Sequence, residues 1–246
     1  MAINFRETSI IVACRNEEQV IEQCLHALVR AVPEAEIVVV DGGADETFSI
    51  AQRMAKQLPQ IKPVKNQPDF GKGHGIRRGI EAASGKIMAQ FDADMQFSAE
   101  DLPALLEPIA AGHADVTLGS RFLPSSDRSA YRPIFFRDIG NRFLSLYVSI
   151  LIGKRVTDVT AGVKAWTREA IKQIDFRDRR YCYELEIVVR AARLGLRIMD
   201  IPVHYADRTS GRSMHRNSLA VARAGAIMML RAFQTRMRPA ESKVRK

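Results

Sequence analysis

Short, nearly uninterrupted apolar runs alternate with amphipathic stretches of helical period through the first half of the chain. Residues 8–13, 36–40, 61–64, 86–91 and 115–118 read as strands. Between them the pattern predicts four helices. The first is capped by Asn16 and carries Val20, Ile21, Leu25 and Leu28; the second runs to about Gln57; the third covers about 76–83, behind a glycine-rich loop; the fourth covers 98–111. Strands apolar on both faces belong to a covered sheet, and strand–helix alternation implies a parallel α/β sheet. In such sheets ligands bind beyond the carboxyl ends of the strands. Asn16 and Glu17, Asp41, and the pair Asp92 and Asp94 all fall there, so a single polar crevice is expected.

The second half is less regular. A polar, serine-rich loop is expected over 123–132, helices over 143–152, 183–194 and 217–234, and a strand over 197–201 stopped by Pro202. No sharp change of composition marks a boundary. The expected organisation is a catalytic domain over 1–216 followed by a basic amphipathic helix and tail over 217–246.

Composition adds constraints. A chain of 246 residues, 46% hydrophobic and 26% charged, can bury a full core. Its net charge of +9 is uneven: from Arg208 to Lys246 ten Lys/Arg face one acid, Glu241. Such a tail suits an anionic membrane, nucleic acid or an acidic substrate, or is simply solvated. Cys14, Cys24 and Cys182 have no metal-ligand or paired spacing, which favours a reducing compartment. The first residues carry charges where a leader's apolar core would lie. The longest apolar stretches, 143–153 and 224–230, fall short of the roughly 20 residues needed to cross a bilayer. A soluble or peripheral protein is expected.

Three segments carry candidate chemistry. In Asp92-Ala93-Asp94-Met95-Gln96, alternate side chains share a side while the chain stays extended. Asp92, Asp94 and the Gln96 amide oxygen then form a hard-oxygen site for Mg²⁺ or Mn²⁺; capping of the next helix is the plainer role. Asp41-Gly42-Gly43 follows an all-apolar strand, where a carboxylate can hold a base or ribose hydroxyl. Asp69 to Gly79 sets glycines and Lys72 at a helix start, a place for phosphate or merely a flexible loop.

With Asn16-Glu17-Glu18, Gly119-Ser120-Arg121-Phe122, Asp158-Val159-Thr160-Ala161-Gly162, Tyr183-Glu184-Leu185-Glu186 and Asp207-Arg208-Thr209-Ser210-Gly211-Arg212-Ser213, these segments resemble glycosyltransferase family 2, in its polyprenyl-phosphate (dolichyl-phosphate mannose synthase-like) branch. The resemblance implies the GT-A fold and an inverting, metal-dependent transfer of a sugar from a nucleotide-sugar (GDP-mannose or UDP-hexose type) to a polyprenyl or dolichyl phosphate. It implies that Asp41 contacts the nucleotide and that Ala13, Arg15, Asn16 and Glu17, with Lys72, Asp92, Ala93 and Asp94, line the donor site. Asp92, Asp94 and Gln96 would hold Mg²⁺ or Mn²⁺, while Arg121, Arg132 or Arg137, and Arg208 would grip the acceptor phosphate. Asp94, Arg121 and Arg208 are the expected catalytic set. Met214 stands where the family usually has Lys, and the register of Arg137 to Asn141 is shifted from the usual one.

The helix expected from Leu219 to Phe233 sets apolar residues among Arg223 and Arg231, a pattern for the headgroup plane of a membrane or for packing on the sheet. A location at the cytoplasmic face of a membrane is expected, with interfacial docking or a separate membrane subunit delivering the lipid. Two other functions fit less well: a family 2 enzyme acting on a sugar hydroxyl or small soluble acceptor, and a basic nucleic-acid-binding module. Against the latter stand the 7% aromatic content and the lack of a recognisable nucleic-acid motif.

Overall fold

The structure is a computed structural model that describes residues 3–208 and 218–238. Strands β1 (Thr8–Cys14), β2 (Glu36–Asp41), β3 (Ile61–Lys65), β4 (Ile87–Gln90), β5 (Val116–Ser120), β6 (Lys164–Thr167) and β7 (Ile198–Pro202) form one seven-stranded sheet in the order β3-β2-β1-β4-β6-β5-β7. All neighbours pair in parallel except around β6, which runs antiparallel to β4 and β5. The helices are α1 (Ile21–Ala31), α2 (Thr47–Gln57), α3 (Lys72–Ala82), α4 (Leu102–Ala110), α5 (Phe135–Ile152), α6 (Arg168–Ile174), α7 (Tyr183–Arg193) and α8 (Ser218–Met237).

Alternation along each strand divides the core in two. Ile10, Val12, Ile37 and Val39 pack with Leu25, Leu28, Leu105 and Leu106 on the face covered by α1, α2 and α4. Ile11, Val38, Val40 and Met88 pack with Ile76, Leu144, Val148 and Val188 on the face covered by α3, α5 and α7. Both faces being dry is what makes the central strands apolar at every position. The result is the three-layered, mostly parallel α/β sheet of the GT-A fold that the sequence pattern and the resemblance led us to expect.

Several local expectations need correction. Asn16 does not cap α1, which starts at Ile21 behind Val20 without a side-chain cap. Asn16 adopts a left-handed conformation (φ 57°), and its Oδ1 accepts from the Ala44 amide at 3.1 Å. The glycine-rich stretch is no loop: α3 begins at Lys72 itself. Helix α5 starts at Phe135, eight residues before the amphipathic pattern becomes clear at Phe143. Strand β6 and helix α6 were not foreseen. Residues 209–217 and 239–246 lie outside the described part, and with them the motif from Thr209 to Ser213, Met214, and the end of the basic tail.

Candidate active site

β1, β2 and β4 all end at one rim of the sheet, and the expected residues gather there. Asp41 closes β2 with its side chain fully buried. Its Oδ1 accepts from the Gly43 amide (2.8 Å), and its Oδ2 pairs with Lys65 Nζ (2.8 Å). Lys65 was missed in the sequence, yet it is Asp41's register partner on the parallel neighbour β3. Asp69 ties the next turn, accepting from the Gly71 amide (2.8 Å) and Asn66 Nδ2 (3.1 Å), with Arg15 Nη1 at 3.5 Å. Ala13 lies under α3, where a Cβ on Gly75 would come within 3.1 Å of its methyl.

The centre of the rim is an acid–cation cluster. Asp92 lies against Lys72, with Nζ 2.8 Å from Oδ1 and 3.0 Å from Oδ2; Lys72 also reaches Glu184 Oε1 at 3.2 Å. Asp94 pairs with Arg208, Nη2 to Oδ2 at 2.6 Å, and its Oδ1 accepts from the Gln96 amide. Burial and the nearby Asp92 push the Asp94 carboxyl above the usual carboxylate range, with Arg208 opposing them. Burial raises Glu17 in the same way; Arg208 opposes, and Asp94 and Asp92 add to the rise. Burial disfavours the Lys72 ammonium, yet Asp92 foremost, then Tyr183 and Glu184, hold its pKa well above the usual lysine range. Five residues from four separate segments thus share one electrostatic field: Glu17, Lys72, Asp92, Asp94 and Arg208. Gly162 is the space-maker, since a Cβ there would fall 1.9 Å from Asp92 Oδ2.

Three expectations fare differently. The chain turns after β4, with Met95 left-handed (φ 59°), so strand alternation does not carry through to Gln96. The Gln96 side-chain amide instead donates to the Ala206 carbonyl at 3.3 Å. Ala93 is buried in the core, which leaves only its backbone to face a ligand. The start of α3 does not offer free N–H groups to phosphate. Gly73 N donates to Arg180 O (2.8 Å) and His74 N to Arg179 O (2.9 Å). A Cβ on Gly71 or Gly73 would meet that same 178–180 backbone at 2.8 and 2.5 Å, so these glycines serve close packing. Lys72 remains as the point charge.

The arginines also separate. Arg121 is buried, and its fork is bidentate on fully buried Asp158 (Nε–Oδ2 2.6 Å, Nη2–Oδ1 2.8 Å), with Nη2 also on Thr160 Oγ1 at 2.9 Å. It is a pillar beneath the site in this structure and not an open phosphate ligand, contrary to expectation. Arg137 donates to the hydroxyls of Tyr131 (2.9 Å) and Tyr205 (3.2 Å). The Arg132 side chain is exposed, while its backbone amide donates to Asp207 Oδ1 at 3.1 Å. The segment after β7 gathers all of these: Tyr205 under Arg121 and Arg137, Ala206 at Gln96, Asp207 at Arg132, and Arg208 at Asp94. Glu186 accepts from the Arg177 and Asp178 amides, and Glu184 lies between Lys72 and fully buried Lys164 (3.7 Å). Glu184 is thus held between two lysines, while Glu186 Oε1 is buried without a hydrogen bond.

The donor set suits Mg²⁺ or Mn²⁺. Asp92 and Asp94 supply hard oxygens close enough to repel one another, and such ions take one or two carboxylates plus substrate phosphates. No cluster of three or more His, Cys, Asp or Glu able to hold a metal occurs among the described residues.

Comparison with known proteins follows this geometry. The model of the family described as Glycosyl transferase family 2 matches residues 9–175. Glycosyltransferase AglD of Haloferax volcanii is 31% identical over 211 residues, 82% of this chain, which spans 33% of AglD's length. Undecaprenyl-phosphate mannosyltransferase of Micrococcus luteus is 30% identical over 82% of this chain and 85% of its own. Among solved structures, Mycobacterium tuberculosis glucosyl-3-phosphoglycerate synthase in complex with Mn²⁺, UDP-glucose and phosphoglyceric acid superposes with a TM-score of 0.73 at 20% identity, over 96% of this chain and 81% of that one.

Proposed function

Because this chain belongs to glycosyltransferase family 2, we propose that it moves a hexose from a nucleotide-sugar to the phosphate of a polyprenyl lipid, at a membrane surface, with inversion at the anomeric carbon. The observation that carries this reading is the meeting of two carboxylate–cation pairs, Asp92 with Lys72 and Asp94 with Arg208, at the carboxyl rim of the sheet. A relative named for an undecaprenyl-phosphate acceptor supports the lipid half.

The chemistry follows from charge. A phosphate monoester is already anionic at neutral pH, its second pKa being about 6, so it needs no strong base. This agrees with Glu184 and Glu186 both being engaged. It needs cations to bring it beside an anionic donor. Arg208 faces the cluster, Arg132 is open to solvent, and Arg137 is held by two tyrosine hydroxyls; arginine stays charged and binds phosphate bidentately. Arg121, locked on Asp158, holds Tyr205 and thereby the segment bearing Arg208. Asp41, with Lys65, stands where a base or ribose hydroxyl would dock. Asp92 and Asp94 would hold a divalent ion, which when bound stabilises charge on the leaving diphosphate. Lys72 and Arg208, which stand beside these carboxylates, would supply positive charge to the donor and acceptor phosphates.

The membrane half rests on a surface. Phe135, Phe136, Ile139, Phe143, Leu146 and Ile150 on α5 are each 49–75% exposed. Neighbouring α8 adds Ile227, Leu230, Phe233 and Met237, with exposed Arg223, Arg231 and Arg236 among them. An apolar, cation-flanked face of this extent fits the headgroup plane of an anionic bilayer. No helix among the described residues is long and apolar enough to cross one.

The test is a panel of nucleotide-sugars incubated with Mn²⁺ and polyprenyl phosphate in anionic vesicles. Metal-dependent transfer to the lipid is expected, abolished by Asp94→Ala with circular dichroism unchanged. Transfer only to a soluble phosphate ester, or undiminished transfer by Asp94→Ala without metal, would reject the lipid or the metal assignment respectively.

A further inference from the structure

On the far side of the 177–182 loop from Lys72 lies a polar cavity of about 230 Å³ between that loop and the last turns of α8. Among the described residues, Arg177 and Arg179 line it from the loop, Arg231 from α8 and Arg238 from just past its end, with the carboxylates of Asp178 and Glu186 in its wall. Among the described lining residues, four arginines stand against two carboxylates. Backbone amides already occupy one oxygen of each acid. Asp178 Oδ1 accepts from Arg180 N (2.9 Å) and Cys182 N (3.1 Å), and Glu186 Oε2 from Arg177 N (2.9 Å) and Asp178 N (2.8 Å).

Three of these arginines have partners that are distant, neutral or aromatic. Arg238 reaches Glu186 only at 3.9 Å, and Arg231 finds the neutral Gln234 Oε1 at 3.5 Å. Arg179 stacks on Phe70 at 4.9 Å, with no carboxylate partner among the described residues. Elsewhere Arg121 and Arg208 hold their carboxylates at 2.6 Å. Arginines converging on a concavity with donors to spare form a phosphate-type site. The cavity is smaller than the roughly 300–1,000 Å³ of pockets for drug-sized ligands, a size that suits a single tetrahedral anion.

We propose that this cavity binds a phosphate group, either free or in the headgroup of an anionic lipid, and that its occupancy braces the donor side of the active site. The brace is the loop itself. Arg179, which lines the cavity, and its neighbour Arg180 offer their carbonyls to His74 N and Gly73 N in the first turn of α3. Lys72, the cation on Asp92, opens that turn. The lipid source is in reach, since Arg231 shares α8 with exposed Leu230, Phe233 and Met237, and Arg238 directly follows them. The proposal concerns binding and backbone order, so it stands apart from whether the chain transfers sugar to a lipid.

The experiment compares the full chain with Arg231→Gln/Arg238→Gln, and with Arg53→Gln/Lys56→Gln on α2 as a control carrying the same charge loss. Melting temperature verifies folding of each. One arm titrates inorganic phosphate at constant ionic strength by calorimetry and follows amide exchange at Gly73 and His74. The other measures co-sedimentation with phosphatidylcholine vesicles containing phosphatidic acid. Phosphate binding that slows exchange at Gly73 and His74, weakened at least tenfold in the α8 variant and under twofold in the control, supports a site for free phosphate. The same contrast seen only with vesicles, with exchange slowed on the membrane, assigns the headgroup. Equal losses in the two variants, no binding in either arm, or binding without slowed exchange overturns the proposal.

Discussion

Replacing Arg208 by Gln should make the protein bind Mn²⁺ more tightly while making it a poorer enzyme. Arg208 Nη2 lies 2.6 Å from Asp94 Oδ2, on an oxygen a divalent ion would need. The ion must therefore displace a cation before it binds. Asp94 is nearly buried, whereas the Arg208 side chain is 32% exposed. Charged hydrogen bonds in protected sites contribute about 1.5–3 kcal/mol and exposed ion pairs about 0.2–1 kcal/mol. This mixed pair should contribute about 1–2 kcal/mol, so its removal should tighten Mn²⁺ binding by about 5–30-fold, a tenfold change being about 1.4 kcal/mol. The residual repulsion by Arg208's charge disappears too, which acts in the same direction. Free Mn²⁺ can be followed by electron paramagnetic resonance in a titration without nucleotide, with Asp94→Asn as the control that loses binding. Affinity in Arg208→Gln equal to or below that of the unaltered protein would refute the argument that this arginine and the metal compete for one carboxylate.

Three further outcomes are expected. Gly162→Ala sets a methyl 1.9 Å from Asp92 Oδ2, and displacing a reacting constellation by about 1 Å can cost about 10²-fold in rate; an unchanged transfer rate would show that Asp92's position is unimportant. Asp158→Ala leaves Arg121 buried without its partner, so urea unfolding should report a loss of about 3–5 kcal/mol, and a loss below about 1 kcal/mol would contradict the pillar role. His204 Nδ1 lies 2.6 Å from Asp101, whose hydrogen bond and charge raise the imidazole pKa. A raised folded-state value stabilises below the unfolded pKa and is lost as pH climbs through the folded one. Unfolding midpoints should therefore fall as pH rises above about 6.5, the ordinary histidine value, and this component should vanish in Asp101→Asn.

How much of this was legible in the sequence depends on the range of the interaction concerned. The five parallel strands of the first half showed themselves because burial on both faces makes apolar runs, and Asp41, Asp92 and Asp94 were found because they terminate such runs. Strand β6 escaped because four residues, Lys-Ala-Trp-Thr, begin with a lysine, whose charge is buried against Glu184 and the Ala161 carbonyl. The start of α5 escaped because Arg137, Asp138 and Gly140 interrupt its apolar face. The glycines of α3 were taken for a phosphate cradle, yet the backbone that occupies their N–H groups lies about a hundred positions later, at 178–180. Arg121 was assigned to a ligand for the same reason: Asp158 could be read as part of a motif but not as a partner. Only the pairing of Asp41 with Lys65 had a local trace, since both residues end adjacent strands of matching register.

The link between Asp94 and Arg208 spans 114 positions. Closing a contact of such separation costs more chain entropy than closing a local one, so it is expected to form late in folding. A partly folded chain would thus form the rim built from β1, β2 and β4 before it gained the arginine that pairs with Asp94.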